Sequence, residues 1–271
     1  MHTINKLKQQ IEALNIPAGS TVIMHTSLRS IGRMEGGAEK LLDLLIEEIC
    51  GRGGVFCVPT HTWDNLGTDK ITLDLTKHET NLGAFTQVAL DDSRAFRTEN
   101  PTHSCVLFGD LLDVTELATE ELDVKTPTSP LSIYGKLHDR DAYVLLVGVD
   151  QNSNTYLHSV EEMLGIPNRV EQHPTRVSVK RTDGEILYRD VYMFDESVHG
   201  DVSHKFYMYE PLFRHLGAIS DGFIGSAKVM LCSTRLMKQA IEYILPRCID
   251  RDPLLFDGEI PEDIYLDAPI S

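Results

Sequence analysis

The chain has 271 residues, of which 42% are hydrophobic, and a formal net charge of -16. That length and apolar content are enough to bury a core in one large domain, which excludes a disordered chain. The acidity, with no cluster of Lys and Arg to neutralise phosphates, excludes a nucleic-acid binder and favours a cationic small substrate.

The N-terminus leads directly into an amphipathic helical pattern, and no apolar stretch reaches signal-peptide length or the roughly eighteen residues of a membrane span. The expectation is a cytoplasmic protein with no membrane partner. Leu7, Ile11 and Leu14 recur at helical spacing until Pro17-Ala18-Gly19-Ser20 breaks the helix. Residues 21–24 then predict a buried strand ending at His25-Thr26-Ser27-Leu28. Gly36-Gly37 precedes a helix over 38–49, with Leu41, Leu42, Leu45 and Ile49 on one face, and a glycine turn at 51–54 leads into a strand over 55–58. A longer loop carries His61, Trp63 and Asp64. Residues 104–109 are strand-like, a helix opens near Ser132, and 143–149 form a very apolar strand. This alternation indicates an α/β layered fold.

Beyond about residue 170 the pattern changes. Residues 176–179 and 186–188 flank Thr182-Asp183-Gly184, a hairpin signal, and helices return over 211–216 and 233–245. With no repeat and no linker-like tract, the expected architecture is a single domain over 1–271. It is of the α/β class, a mixed sheet flanked by helices, with a smaller α+β lobe at roughly 170–210 bearing the hairpin. Cys50, Cys57, Cys105, Cys232 and Cys248 are odd in number and widely spaced without a C-x-x-C pair. They read as small core residues, and neither a disulfide framework nor a thiolate zinc site.

The sharpest chemical feature is residues 154–162, NTYLHSVEE, directly after the apolar strand. Strand-to-helix junctions of open α/β sheets face the ligand crevice. A helix capped at Asn154 or Thr155 places His158 and Glu161 three positions apart on one face. Three readings of that spacing stay open. The pair can be a solvated helix pair, an acid–base dyad in which a neutral imidazole accepts a proton from an attacking amine, or part of a zinc site completed by His199, His204 or His215. Other chemistries lack their signatures, because no G-x-S-x-G elbow, phosphate loop or dinucleotide fingerprint occurs. The common R/Q-x-x-G-x-G/A acetyltransferase motif also fails, since Arg29 and Gly32 are followed by Met34. Residues 25–30 at a strand end and 129–132 opening a helix are either ordinary caps or anion-binding hydroxyl clusters.

Together, residues 24–32 (MHTSLRSIG), 53–62 (GGVFCVPTHT), 100–104 (NPTHS), 129–135 (SPLSIYG), 144–149 (VLLVGV) and 154–162 resemble the aminoglycoside 3-N-acetyltransferase family, including its shorter Bacillus-type members. Weaker agreement continues at 199–206 and 222–227. The resemblance implies the aminoglycoside 3-N-acetyltransferase-like fold, acetyl-CoA as donor and the 3-amino group of a 2-deoxystreptamine aminoglycoside as acceptor. Another amine as acceptor is the near alternative and a zinc hydrolase the remote one. By the same carry-over His158 is the general base, with Glu161 orienting it or engaging the acceptor, and the amine attacks directly in a ternary complex. The resemblance places Ser27, Leu28, His103, Ser104, Ser129 and Ser132 along the CoA channel, with His103 alternatively a buried structural histidine. It places Asp64, His199 and Asp201 on the acceptor side. No metal is expected, and a homodimer is one candidate assembly.

Overall fold

Residues 1–268 are described, in a computed structural model. Seven strands form one mixed sheet: β1 (Thr21–Thr26), β2 (Val55–Pro59), β4 (Phe96–Arg97), β5 (Cys105–Phe108), β6 (Tyr143–Val147), β9 (Ile219–Ile224) and β10 (Ala227–Ser233). Their order is β4-β5-β2-β1-β6-β10-β9. The central three are parallel, with Ile23 in register with both Cys57 and Val144, while β5 and β10 add antiparallel flanks.

Strand periodicity explains the layers. Successive side chains alternate across a sheet, so Ile23, Cys57, Val144 and Leu146 enter one core while Val22, Met24, Phe56, Leu145 and Val147 enter the other. The first core packs on α5 (Leu111–Ala118), α6 (Ile133–Asp139), α7 (Tyr156–Met163), α8 (Glu210–His215) and α9 (Thr234–Ile244). The second packs on α1 (Ile4–Glu12), the short α2 (Leu28–Ile31), α3 (Gly37–Ile49) and α4 (Ala84–Asp91). Helices on both faces are why β6 is an unbroken apolar run, with no polar face to give it alternation. Each fully buried aliphatic chain such as Leu146 contributes about 2–3 kcal/mol of burial.

A second sheet, β3 (Leu73–Asp74), β7 (Thr175–Lys180) and β8 (Ile186–Val191), runs in the order β3-β7-β8. The expected hairpin is its β7–β8 pair, and its third strand comes from far upstream, paired in parallel through Leu73 and Val179. The expected α/β class with a mixed main sheet is thus observed. The β9–β10 hairpin that closes the main sheet was not anticipated. Gly148, leaving β6 at φ +66°, could not be another residue, because a Cβ would stand 2.4 Å from Ser30 Cβ. No helix among the described residues is long and apolar enough to cross a membrane.

Candidate active site

In an open sheet with parallel strands, the carboxyl ends of neighbouring strands whose connections run to opposite sides leave a crevice. Here β1 has β2 on one side and β6 on the other, and the residues just past all three strands line one cavity of about 1010 Å³. The end of β1 supplies His25 and Thr26, the segment after β2 supplies His61 and Trp63, and the β6–α7 turn supplies Asn152 to Thr155 and then His158. The smaller lobe closes the opposite wall with Glu171, Met193, Phe194, Asp195, Glu196 and Asp201. None of the described residues lining the cavity is Lys or Arg.

His158 stands on the first turns of α7 and is half-buried. Its ring lies flat on Phe194, with centroids 4.0 Å apart at 15°, and meets the edge of Phe206 at 4.8 Å. Burial pulls its pKa down to about 4, the Asp201 carboxylate opposing and the Arg169 guanidinium assisting that fall. His25, also lowered to about 4, and His103, lowered to about 3, follow the same cause, as does His61. All four imidazoles are therefore neutral at pH 7, and His158 is a base in its proton-accepting form.

Glu161 does not meet His158. Its side chain turns into the protein, fully buried, where Oε2 accepts from Arg169 Nε at 2.6 Å and Oε1 accepts from Arg169 Nη2 at 3.3 Å and from the Tyr209 hydroxyl at 2.8 Å. The same Arg169 Nη2 donates to Asp252 Oδ1 at 2.7 Å. Burial alone would lower the Arg169 pKa, but the two carboxylates beside it raise it and keep the guanidinium charged. Burial raises the Glu161 carboxyl, and Arg169 works against that rise. Direct orientation of His158 by Glu161, as the three-residue spacing suggests, is not the observed geometry. The carboxylate instead anchors α7 to the segment at Arg169 and to the C-terminal stretch at Asp252. Neither Arg169 nor Asp252 carries a sequence signal, being 8 and 91 positions from Glu161.

The remaining sequence candidates divide. His103 and Asp201 line the cavity, His103 with Nδ1 2.9 Å from Thr102 Oγ1 and its ring 4.3 Å from His61. Ser27 and Leu28 adjoin the lining residue Thr26, and the Ser27 hydroxyl caps α2 by accepting from Ser30 N. Ser104, Ser129 and Ser132 are buried and are not among the lining residues. Ser104 donates to the Thr60 carbonyl at 2.9 Å, and Ser132 donates to the Ser129 carbonyl at 2.7 Å while accepting from Gly135 N to cap α6. Asp64 is exposed beside the cavity and accepts from Asn81 Nδ2 at 2.8 Å. His199 lies 4.0 Å from Asp252 and is not among the lining residues. Of the other histidines considered as a third zinc ligand, His204 faces Asp201 and His215 packs against Tyr265. Among the described residues no group of three or more His, Cys, Asp or Glu side chains is placed to hold a metal ion. The acidic wall residues Glu171, Asp195 and Glu196 were not singled out from sequence.

Comparison with known proteins agrees with this architecture. The chain is 24% identical over 248 residues to aminoglycoside N(3)-acetyltransferase IV from a Salmonella species, covering 91% of this chain and 87% of that one. The crystal structure of the YokD protein from Bacillus subtilis superposes with a TM-score of 0.74 at 20% identity, over 89% of this chain and 98% of YokD. A histidine-to-alanine mutant of aminoglycoside acetyltransferase AAC(3)-IVa, solved in complex with a gentamicin, superposes with a TM-score of 0.73 at 22% identity, over 91% of this chain and 89% of that one. The family model for aminoglycoside 3-N-acetyltransferase matches residues 23–245, most of the length and all three strand ends that build the cavity. The chain is accordingly an acyltransferase belonging to the aminoglycoside 3-N-acetyltransferase family.

Proposed function

We propose that the chain transfers the acetyl group of acetyl-CoA to the 3-amino group of a 2-deoxystreptamine aminoglycoside, the amine attacking directly in a ternary complex. The observation that carries this reading is the pairing of a neutral, cavity-facing His158 with a wall of four carboxylates, Glu171, Asp195, Glu196 and Asp201, and no lining cation among the described residues. Such a wall attracts a polycationic acceptor. At about 1010 Å³ the cavity stands at the upper end of the range for small-molecule sites.

Acetyl-CoA, when bound, supplies an acetyl thioester as the electrophile. Thr26 Oγ1, buried at the cavity without a hydrogen-bond partner, is one hydroxyl available to it. The start of α4, not capped by a side chain, presents its first backbone N–H groups at the cavity beside Gly83 and Thr86, the kind of donor an anionic cofactor needs where basic side chains are lacking. His158 accepts the proton that the acceptor nitrogen sheds as it bonds to the carbonyl carbon, and the imidazolium returns that proton to the CoA sulfur as the C–S bond breaks and CoA leaves as the free thiol. Asp201, the charged group that opposes the fall of the His158 pKa, stabilises the imidazolium so formed. Glu161 acts at one remove, by holding α7.

The test is thiol release from acetyl-CoA with a panel of amines, beginning with gentamicin-like and neomycin-like aminoglycosides, for the native chain and His158→Ala. The expected result is aminoglycoside-dependent release with kcat about a hundredfold or more lower in the variant, while CoA binding persists. Normal turnover in His158→Ala would sink the base assignment. Release with other amines alone would replace the aminoglycoside by another acceptor of the same chemistry.

A further inference from the structure

A general base has to be held in one ring orientation, and this is ordinarily done by a hydrogen bond to its second nitrogen. Among the described residues no side chain hydrogen-bonds the His158 imidazole. What fixes the ring is aromatic contact: Phe194 covers one face at 4.0 Å, and Phe206, fully buried, meets it edge-on at 4.8 Å. Phe206 belongs to the core. Phe194 comes from the cavity-lining segment of the smaller lobe and needs an anchor of its own.

That anchor leads back to the helix that carries the base. Val170 and Phe194 form an antiparallel bridge, closed by Glu171 N donating to the Met193 carbonyl at 2.9 Å and Asp195 N donating to the Arg169 carbonyl at 3.0 Å. Arg169, the residue before Val170, is the one gripped by Glu161 and Asp252. Glu161 stands one turn after His158 on α7. The circuit is closed: α7 holds Arg169 through Glu161, the Arg169–Glu171 backbone holds residues 193–195, and Phe194 is laid back across His158.

Resting on His158 as the base, we propose that Phe194 is the positioning residue for that imidazole, kept in place by the Glu161–Arg169 clamp acting through the Val170–Phe194 bridge. The Glu161 that the sequence pairs with His158 thus reaches it through a chain of contacts. Stacking has a second consequence. By excluding water from one ring face, Phe194 contributes to the desolvation that keeps His158 neutral. The titratable groups acting on or beside His158 are Asp201, Arg169, His61 and His103, and Phe194 changes none of their charges.

The experiment compares Phe194→Ala, Phe194→Leu and Phe194→Tyr in the full chain, reading thiol-release kinetics and the NMR titration of the His158 imidazole. In Phe194→Ala the imidazole titrates closer to 6.5 than to about 4, and kcat falls about ten- to a hundredfold, the scale of a misplaced catalytic group, with KM for acetyl-CoA little changed. Phe194→Tyr keeps the ring and stays within about threefold of native kcat. Phe194→Leu fills the space without a planar face, so a fall in its kcat with an unchanged melting temperature separates loss of the stack from loss of fold. An unmoved His158 titration in Phe194→Ala, or native kcat in Phe194→Leu, overturns the proposal. A moved titration in a chain whose turnover ignores His158→Ala would leave Phe194 as the positioner of an imidazole that is not the base, so the two readings fail separately.

Discussion

Replacing Arg169 by Met is the sharpest perturbation the structure offers. Arg169 is 5% exposed, Glu161 0% and Asp252 1%, so the substitution keeps most of the side-chain volume but strands two carboxylates away from water with no cation. Removing one member of a buried ion network costs about 3–5 kcal/mol, chiefly through the uncompensated charge left behind. For a domain of this size that lowers the melting temperature by on the order of 10 °C. The deficit also has a sign in pH. Without Arg169 nothing opposes the rise that burial gives the Glu161 carboxyl, whose folded-state pKa then lies further above its unfolded one, so the folded variant binds more protons and recovers part of its deficit as pH falls. Urea denaturation of both proteins at pH 7.5 and 5.5 measures it. A deficit below about 1 kcal/mol at pH 7.5, or one that grows on acidification relative to the native chain, would refute the clamp as drawn.

The cavity histidines make a second pH prediction. His25, His103 and His158 are depressed to about 4, 3 and 4. The unfolded chain, with histidines near 6.5, therefore binds more protons than the folded one below that value. The stability they contribute is present above about pH 6.5 and is lost as pH falls from there toward 4, by on the order of 3 kcal/mol for the buried His103 and less for the half-buried His25 and His158. A urea midpoint that stays flat from pH 7 to 5 would contradict this. For the same reason the limb of kcat/KM that reports His158 lies near pH 4 rather than 6.5, and stopped assays at pH 5 to 7 should find the base fully competent. On the acidic wall, Asp195→Asn and Glu196→Gln each raise KM for an aminoglycoside about three- to tenfold with kcat preserved. A monoamine acceptor measured in parallel is affected less, and equal effects on both would argue against electrostatic capture.

The readable parts of the chain were those in which local pattern and tertiary role coincide. β1, β2 and β6 announce themselves as apolar runs because helices cover both faces, α3 by its leucine stripe, and the β7–β8 hairpin by Thr182-Asp183-Gly184. β9 was hidden because it is an edge strand, with Ser220, Asp221 and Phe223 exposed and Gly222 within it. β3 and β4, two residues each, carry no periodicity. In the site, hydroxyls at 104, 129 and 132 looked available to a cofactor, yet burial commits Ser104 and Ser132 to main-chain partners, a distinction composition cannot make.

Sequence alone determined the α/β class, the strand ends that border the cavity, the family and His158 as the side chain to suspect, because strand periodicity, turn chemistry and motif order are local properties. Only the tertiary structure decided what surrounds His158. Helical spacing places two residues on one face but does not say where each side chain finds its partner. Glu161 finds Arg169, Tyr209 and, through Arg169, Asp252 inside the protein, and the imidazole is met by Phe194, 36 positions downstream. A buried carboxylate requires a cation and donors, whereas a half-buried neutral imidazole can rest on an aromatic ring, and contacts across such sequence distances exist only once the sheet and the smaller lobe have assembled.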